Sequence, residues 1–170
     1  MKKVSFVIPC YRSEQTITKV VDEIHKTLAE LNRYEYEIVL VNDSSPDGTF
    51  EVIRKICESD ARIIGIDLAK NFGQHSALMA GFRQVSGDIV VCLDDDGQTP
   101  ADEVGKLLDK IEEGSDVVYA KYNHKQHSTF RNFGSHVNEL MTRIMLGKPK
   151  ELFRSSYFAA KRFIIDEVVR

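Results

Sequence analysis

The sequence predicts an α/β fold, a mostly parallel central sheet with helices on both faces. Three observations lead there. Strand-like and helix-like patterns alternate through the first 120 residues; the strand-like runs are almost continuously apolar, as burial on both faces requires; and polar clusters recur directly after those runs. Ligands of such sheets bind beyond the carboxyl ends of the strands. The clusters at 9–14, 42–48 and 94–99 fall on that edge and together mark a site.

Taken in order, residues 4–8 form a short apolar run ended by Pro9. Ile17, Val20, Val21, Ile24, Leu28 and Leu31 then recur at helical spacing, after Ser13 as a cap. Residues 36–41 form a second strand, and the turn-rich NDSSPDG of 42–48 leads into a short helix at 49–57. A strand at 62–67, a helix at 74–85 and a strand at 88–93 follow. Val104, Leu107, Leu108 and Ile111 mark another amphipathic helix, and 116–120 another strand. After residue 120 the rhythm breaks. Residues 121–131 read as a basic, exposed loop; Val137, Leu140, Met141, Ile144 and Met145 make an apolar helical stripe that stops near Gly147 and Pro149. Residues 157–160 suit one more strand and 163–170 start a helix, whose Ile164, Ile165, Val168 and Val169 still seek a partner. We therefore expect one unit at 1–120 and the truncated start of a second at 121–170.

Composition agrees with a soluble globular chain: 42% of the 170 residues are hydrophobic and 29% charged. No run approaches the roughly 18 apolar residues of a membrane span, and the N-terminus is too short for a signal-peptide core. Cys10, Cys57 and Cys92 are scattered, which fits reduced thiols in a cytoplasmic protein rather than a disulfide framework or a zinc site. Charge is uneven. Residues 1–120 carry 22 acidic and 13 basic residues, whereas 121–170 carry 4 and 10. The basic tail is either a solvated surface or a face for phosphates or an anionic membrane.

The chemistry centres on Asp94-Asp95-Asp96 after the strand at 88–93. Alternate residues of an extended segment share a side, so Asp94 and Asp96 converge while Asp95 points away. Two such carboxylates repel unless a cation sits between them, and Mg²⁺ or Mn²⁺ suits one or two carboxylates completed by substrate phosphates. The competing reading is an exposed acidic turn. Asp43 can accept bonds from a base or ribose, or cap the next helix through an Asx turn; Asp47 reads as turn chemistry. Tyr11 offers a ring for a base, or for the core. Gly73 allows close backbone approach at a helix start. His75, His124, His127 and His136 lack metal-ligand spacing.

Read together, VSFVIPCYRSE, VLVNDSSPDGT, NFGQHSALMAG and VVCLDDDGQTP resemble the family 2 glycosyltransferases, over 1–120 continuously and more faintly over 121–170. The branch most similar in look is that of dolichol-phosphate mannose synthases and bacterial polyprenyl-phosphate glycosyltransferases, whose DxDxQxP pattern matches Asp94, Asp96, Gln98 and Pro100. The resemblance implies a GT-A, Rossmann-like fold and inverting, metal-dependent transfer from a nucleotide-sugar donor, in the setting of cell-envelope polysaccharide synthesis. It assigns Pro9, Tyr11, Glu14 and Asp43 to the nucleoside pocket, and Asp94, Asp96 and Gln98 to the metal (Mg²⁺ or Mn²⁺) and donor phosphates. Arg12 stands where the family usually has Asn. Ser155-Ser156-Tyr157 matches a Ser-Ser-Phe or Gly-Gly-Phe segment, and Ser156 stands where some members have an acid.

That last departure bears on the acceptor. A sugar hydroxyl needs a general base, whereas a lipid phosphate is already largely an oxyanion. The segment after residue 120 has Lys121, Lys125, Arg131, Arg143, Lys148 and Arg154 to hold an anion, and only Glu139, Glu151, Asp166 and Glu167 as acids. The expected acceptor is thus a polyprenyl phosphate, at the cytoplasmic face of a membrane reached peripherally or through downstream helices. No nucleic-acid partner is expected. The alternatives are a saccharide acceptor and a non-catalytic nucleotide-sugar-binding module. A receiver-type domain would carry its acids after the first strand, and a dinucleotide fold would carry GxGxxG there; this chain has neither.

Overall fold

The computed structural model describes residues 1–120 and 156–170. The strands are β1 (Lys2–Cys10), β2 (Tyr34–Asn42), β3 (Ile63–Asp67), β4 (Ile89–Cys92), β5 (Val117–Tyr119) and β6 (Phe158–Lys161). They form one six-stranded sheet in the order β3-β2-β1-β4-β6-β5. The pairings among β1, β2, β3 and β4 are parallel, and β6 is antiparallel to both its neighbours. The α/β class expected from the sequence is the one observed.

Period-two alternation assigns the sheet's two faces. Val4, Phe6, Ile8, Ile38 and Leu40 meet α1 (Ile17–Leu31), α2 (Thr49–Ser59) and α4 (Val104–Glu112) in one core. Val7, Val39, Val41 and Val90 meet α3 (Gln74–Phe82) and α5 (Arg162–Val169) in the other. Gly81 lets α3 sit close to the sheet: a Cβ there would lie 2.5 Å from Val7 Cγ1 and 3.2 Å from Val41 Cγ2. Ile165 finds its partner in this second core, and Ile164 and Val169 pack against it.

Three expectations change in detail. Pro9 does not end β1 but lies inside it, opposite Val41 of β2. The Val7 carbonyl faces Leu93 on the β4 side, so Pro9, two residues on, turns its donorless nitrogen to that same side. The β1–β4 ladder has already finished there, with the Val7–Cys92 pair. Ser13 does not cap α1 through its hydroxyl; its carbonyl accepts the Thr16 and Ile17 N–H groups. The third helix ends at Phe82, where the Gln84 N–H turns back to Gly81 O, rather than at residue 85. β6 lies beyond residue 120 in sequence and is an interior strand of the one sheet. The basic loop at 121–131 and the apolar stripe of Val137 to Met145 lie outside the described residues, as do Lys121, Lys125, Arg131, Arg143, Lys148 and Arg154.

At the amino edge of the sheet one acid is fully enclosed. Glu37 of β2 accepts bonds from Lys3 Nζ (2.6 Å), Ser5 Oγ (2.6 Å), Ser86 N (2.6 Å) and Ser86 Oγ (2.8 Å). Burial alone would raise its carboxyl, but the Lys3, Ser5 and Ser86 bonds outweigh it and hold the group at about 2. Among the described residues no helix is long and apolar enough to cross a membrane.

Candidate functional site

At the carboxyl edge the parallel strands end in register, Cys10 beside Asn42 and Asn42 beside Asp67. Their loops are tied to one another by short polar bonds. The Ser45 hydroxyl accepts the Arg12 N–H (2.8 Å), and Thr49 Oγ1 accepts the Ser13 N–H (2.9 Å). Asn42 donates to Asp67 Oδ1 (2.8 Å) and accepts the Ser45 N–H (3.2 Å). Arg12 and Ser44 adopt left-handed backbone, φ 56° and 52°, in these tight turns. Non-glycine residues seldom do so without surrounding constraint, and such positions cluster at functional sites.

The acidic triplet divides its contacts. Asp95 turns toward the β1 exit, where its Oδ2 accepts the Tyr11 N–H (2.9 Å) and its carbonyl accepts the Thr16 hydroxyl (2.6 Å). Burial raises the Asp95 carboxyl above its ordinary value, against the opposing bond from the Tyr11 N–H. Asp94 faces elsewhere. Its Oδ2 accepts the Ser156 hydroxyl at 2.5 Å, and its Oδ1 only a long bond from Gln74 Nε2 at 3.3 Å. Asp96 Oδ1 accepts the Gln98 N–H (2.9 Å) and closes the turn at Gly97. Asp96 Oδ2 makes no hydrogen bond among the described residues.

The other expected site residues are placed as follows. Tyr11 is 44% exposed, so its ring lies outside the core. Pro9 is buried behind it, and Gln98 is exposed on the loop after Asp96. Glu14 Oε2 accepts the Gly48 N–H at 2.6 Å and steadies the start of α2. Asp43 is buried, with Oδ1 and Oδ2 accepting the Phe72 and Gly73 N–H groups at 2.8 Å each. It braces the loop before α3, while the Asx turn forms on Asn42 instead. Asp47 closes the turn into α2 through the Thr49 N–H and hydroxyl. Gln74, Ser156 and Tyr157 enter the site without having been singled out as contacts. Burial pushes the Cys10 and Cys92 thiols well up, so neither is a ready nucleophile.

A divalent cation fits this chemistry. Asp94 and Asp96 each keep one hard oxygen lightly engaged or unengaged, and both residues are partly exposed. A hard divalent cation takes one or two carboxylates and completes its shell with water and phosphate oxygens.

Comparison with known proteins follows this geometry. Over 170 residues the chain is 36% identical to an undecaprenyl-phosphate 4-deoxy-4-formamido-L-arabinose transferase of Yersinia enterocolitica, covering 99% of this chain and 52% of that protein. It is 37% identical over 171 residues to the like-named protein of Salmonella choleraesuis, covering 100% and 52%. The chain thus spans about half the length of the curated relatives it matches. Among solved structures, a Pyrobaculum calidifontis mannosyltransferase in complex with GDP-Man and Mn²⁺ aligns with a TM-score of 0.66 at 22% identity, covering 98% of this chain and 46% of that one. A Mycobacterium tuberculosis glucosyl-3-phosphoglycerate synthase with Mn²⁺, UDP and phosphoglyceric acid aligns with a TM-score of 0.68 at 23% identity, covering 96% and 57%. These likenesses show the GT-A fold. The family model of glycosyl transferase family 2 matches residues 5–169, and with motif order and sheet topology in agreement, this chain belongs to that family.

Proposed function

We propose that the chain is the donor-binding part of an inverting glycosyltransferase that moves a sugar from a nucleotide-sugar to a polyprenyl-phosphate acceptor at the cytoplasmic face of a membrane. The observation that carries the donor half is the presentation of Asp94 and Asp96 at the carboxyl edge, each with an oxygen still available. Mg²⁺ or Mn²⁺ held there would neutralise the departing diphosphate. Around it, Tyr11 offers an exposed ring to the base or ribose. Asp43 fixes the 72–73 backbone and keeps lone pairs for a base or ribose donor, and Pro9 and Glu14 shape the loops from behind. Gln98 follows Asp96 on the same turn and is the remaining candidate for the donor phosphates.

The acceptor half rests on chemistry and on relatives. A phosphate monoester is largely ionised near neutral pH, so attack on the sugar requires no proton removal by the protein. Ser156, where a base would stand, is a hydroxyl already donating to Asp94. The relatives named above are undecaprenyl-phosphate transferases, which supports the same class of acceptor. The test is transfer of radiolabel by the complete gene product from UDP- and GDP-sugars, with Mn²⁺, to undecaprenyl phosphate or to free saccharides. Labelled lipid is expected. Label in saccharide alone would overturn the acceptor reading, and donor binding with no transfer to either would favour a binding module.

A further inference from the structure

The bond between Ser156 and Asp94 follows from strand register. β6 runs antiparallel to β4, with Ile89 opposite Lys161 and Cys92 opposite Phe158. Carrying that register on by two residues sets Asp94 opposite Ser156, and the hydroxyl meets Asp94 Oδ2 at 2.5 Å. The next residue grips the far end of the same loop, since the buried Tyr157 donates its hydroxyl to Pro100 O at 3.1 Å. The two residues just before β6 thus hold the acidic loop at both ends, at residues 94 and 100.

We infer that Ser156 is a positioning residue for the donor site: it pins Asp94 Oδ2 so that Oδ1 is presented to the cation and diphosphate. This rests on the donor-site reading above. The two oxygens are held unequally, Oδ2 by the short Ser156 bond and Oδ1 by the 3.3 Å contact with Gln74. The weaker partner is the one an entering cation displaces. Both donors are neutral, so the negative charge of Asp94 is oriented without being cancelled by a protein cation. A carboxylate that approaches a metal through one oxygen is commonly hydrogen-bonded at the other, and such outer partners tune affinity.

The experiment is Mn²⁺ binding in the presence of UDP, and separately of GDP, followed by the electron paramagnetic resonance signal of free Mn²⁺. Wild type, Ser156→Ala, Ser156→Thr and Asp94→Ala are compared. Ser156→Ala is expected to weaken Mn²⁺–nucleotide binding about tenfold, the lower end of the ~10–100-fold cost of losing an outer-shell partner. Ser156→Thr keeps the hydroxyl and is expected to stay within about threefold of wild type. Ser156 is only partly buried, and thermal melts matching wild type show that a change in binding is not unfolding. Wild-type affinity in Ser156→Ala, while Asp94→Ala loses binding, would overturn the positioning role and leave the donor site intact. Equal loss in Ser156→Thr and Ser156→Ala would also overturn it, because the hydroxyl would then not be the cause. No binding by wild type with either nucleotide would overturn the donor reading and this inference together.

Discussion

Glu37 and Asp94 sit at opposite edges of the same sheet, and the contrast between them separates stability from function. Glu37 is enclosed and saturated: a lysine, two serine hydroxyls and a backbone N–H converge on it, and its carboxyl is held at about 2. Asp94 is partly exposed, receives two neutral donors, one of them long, and shares its turn with Asp96. An acid whose lone pairs are all occupied serves the fold. An acid with capacity left over, beside another acid, is the one we propose for a ligand that the fold does not supply.

The most severe break of this contrast is Asp94→Ala. It is expected to reduce metal-dependent nucleotide binding beyond the ~10–100-fold that outer-shell changes cost, as read by Mn²⁺ titration. Its melting temperature should hold within a few degrees, because relief of repulsion from Asp95 offsets the loss of one exposed and one part-buried hydrogen bond. Glu37→Gln should do the reverse. Removing one partner of a buried, hydrogen-bonded pair costs ~3 kcal/mol, or a fall in Tm of about 6–12 °C for a chain of this size, with nucleotide affinity unchanged.

The pH dependence sharpens the same point. The folded Glu37 carboxyl lies at about 2, below its ordinary 4.5. Its contribution to stability is therefore fully present above pH 4.5 and is lost as the pH falls through about 2. Chemical denaturation across that window should show the gap between wild type and Glu37→Gln closing toward low pH; a constant gap would deny the ionised pair its role. Gly81→Ala is a smaller break. A methyl 2.5 Å from Val7 Cγ1 must push α3 off the sheet, at ~1–3 kcal/mol for overpacking, read by denaturant midpoint. Smallest is Gly73→Ala, which has open space for the methyl but sits at φ 87° and ψ 160°, a backbone region that essentially only glycine enters. A cost at the low end of ~1–3 kcal/mol is expected, measured the same way.

How much of this was legible before the structure depends on the range of the interaction. The strands β1 to β5 follow from apolar runs, because burial on both faces leaves a local signature. The turn of Asp95 toward the β1 exit was not legible, because it depends on where the Tyr11 N–H and the Thr16 hydroxyl lie. Residues 157–160 were legible as a strand, but not its direction or its place between β4 and β5. An apolar run carries no polarity, and 37 residues lie between Tyr119 and Tyr157. The Ser156–Asp94 bond depends on that register and was therefore out of reach. Asp43 shows a subtler limit. Turn chemistry at 42–48 was evident, yet Asn42 makes the Asx turn while Asp43 reaches the 72–73 backbone. Adjacent polar residues with the same local propensity are distinguished only by what the next loop places above them.

We propose that Asp94 and Asp96 hold a divalent cation against the donor's diphosphate. Isothermal titration of UDP and GDP into wild type and Asp96→Ala, with Mn²⁺ and with excess chelator, is the decisive measurement. Wild type should bind with Mn²⁺, and binding should be lost both in chelator and in Asp96→Ala. Equal affinity with and without Mn²⁺, or an Asp96→Ala variant that binds as wild type does, would contradict it.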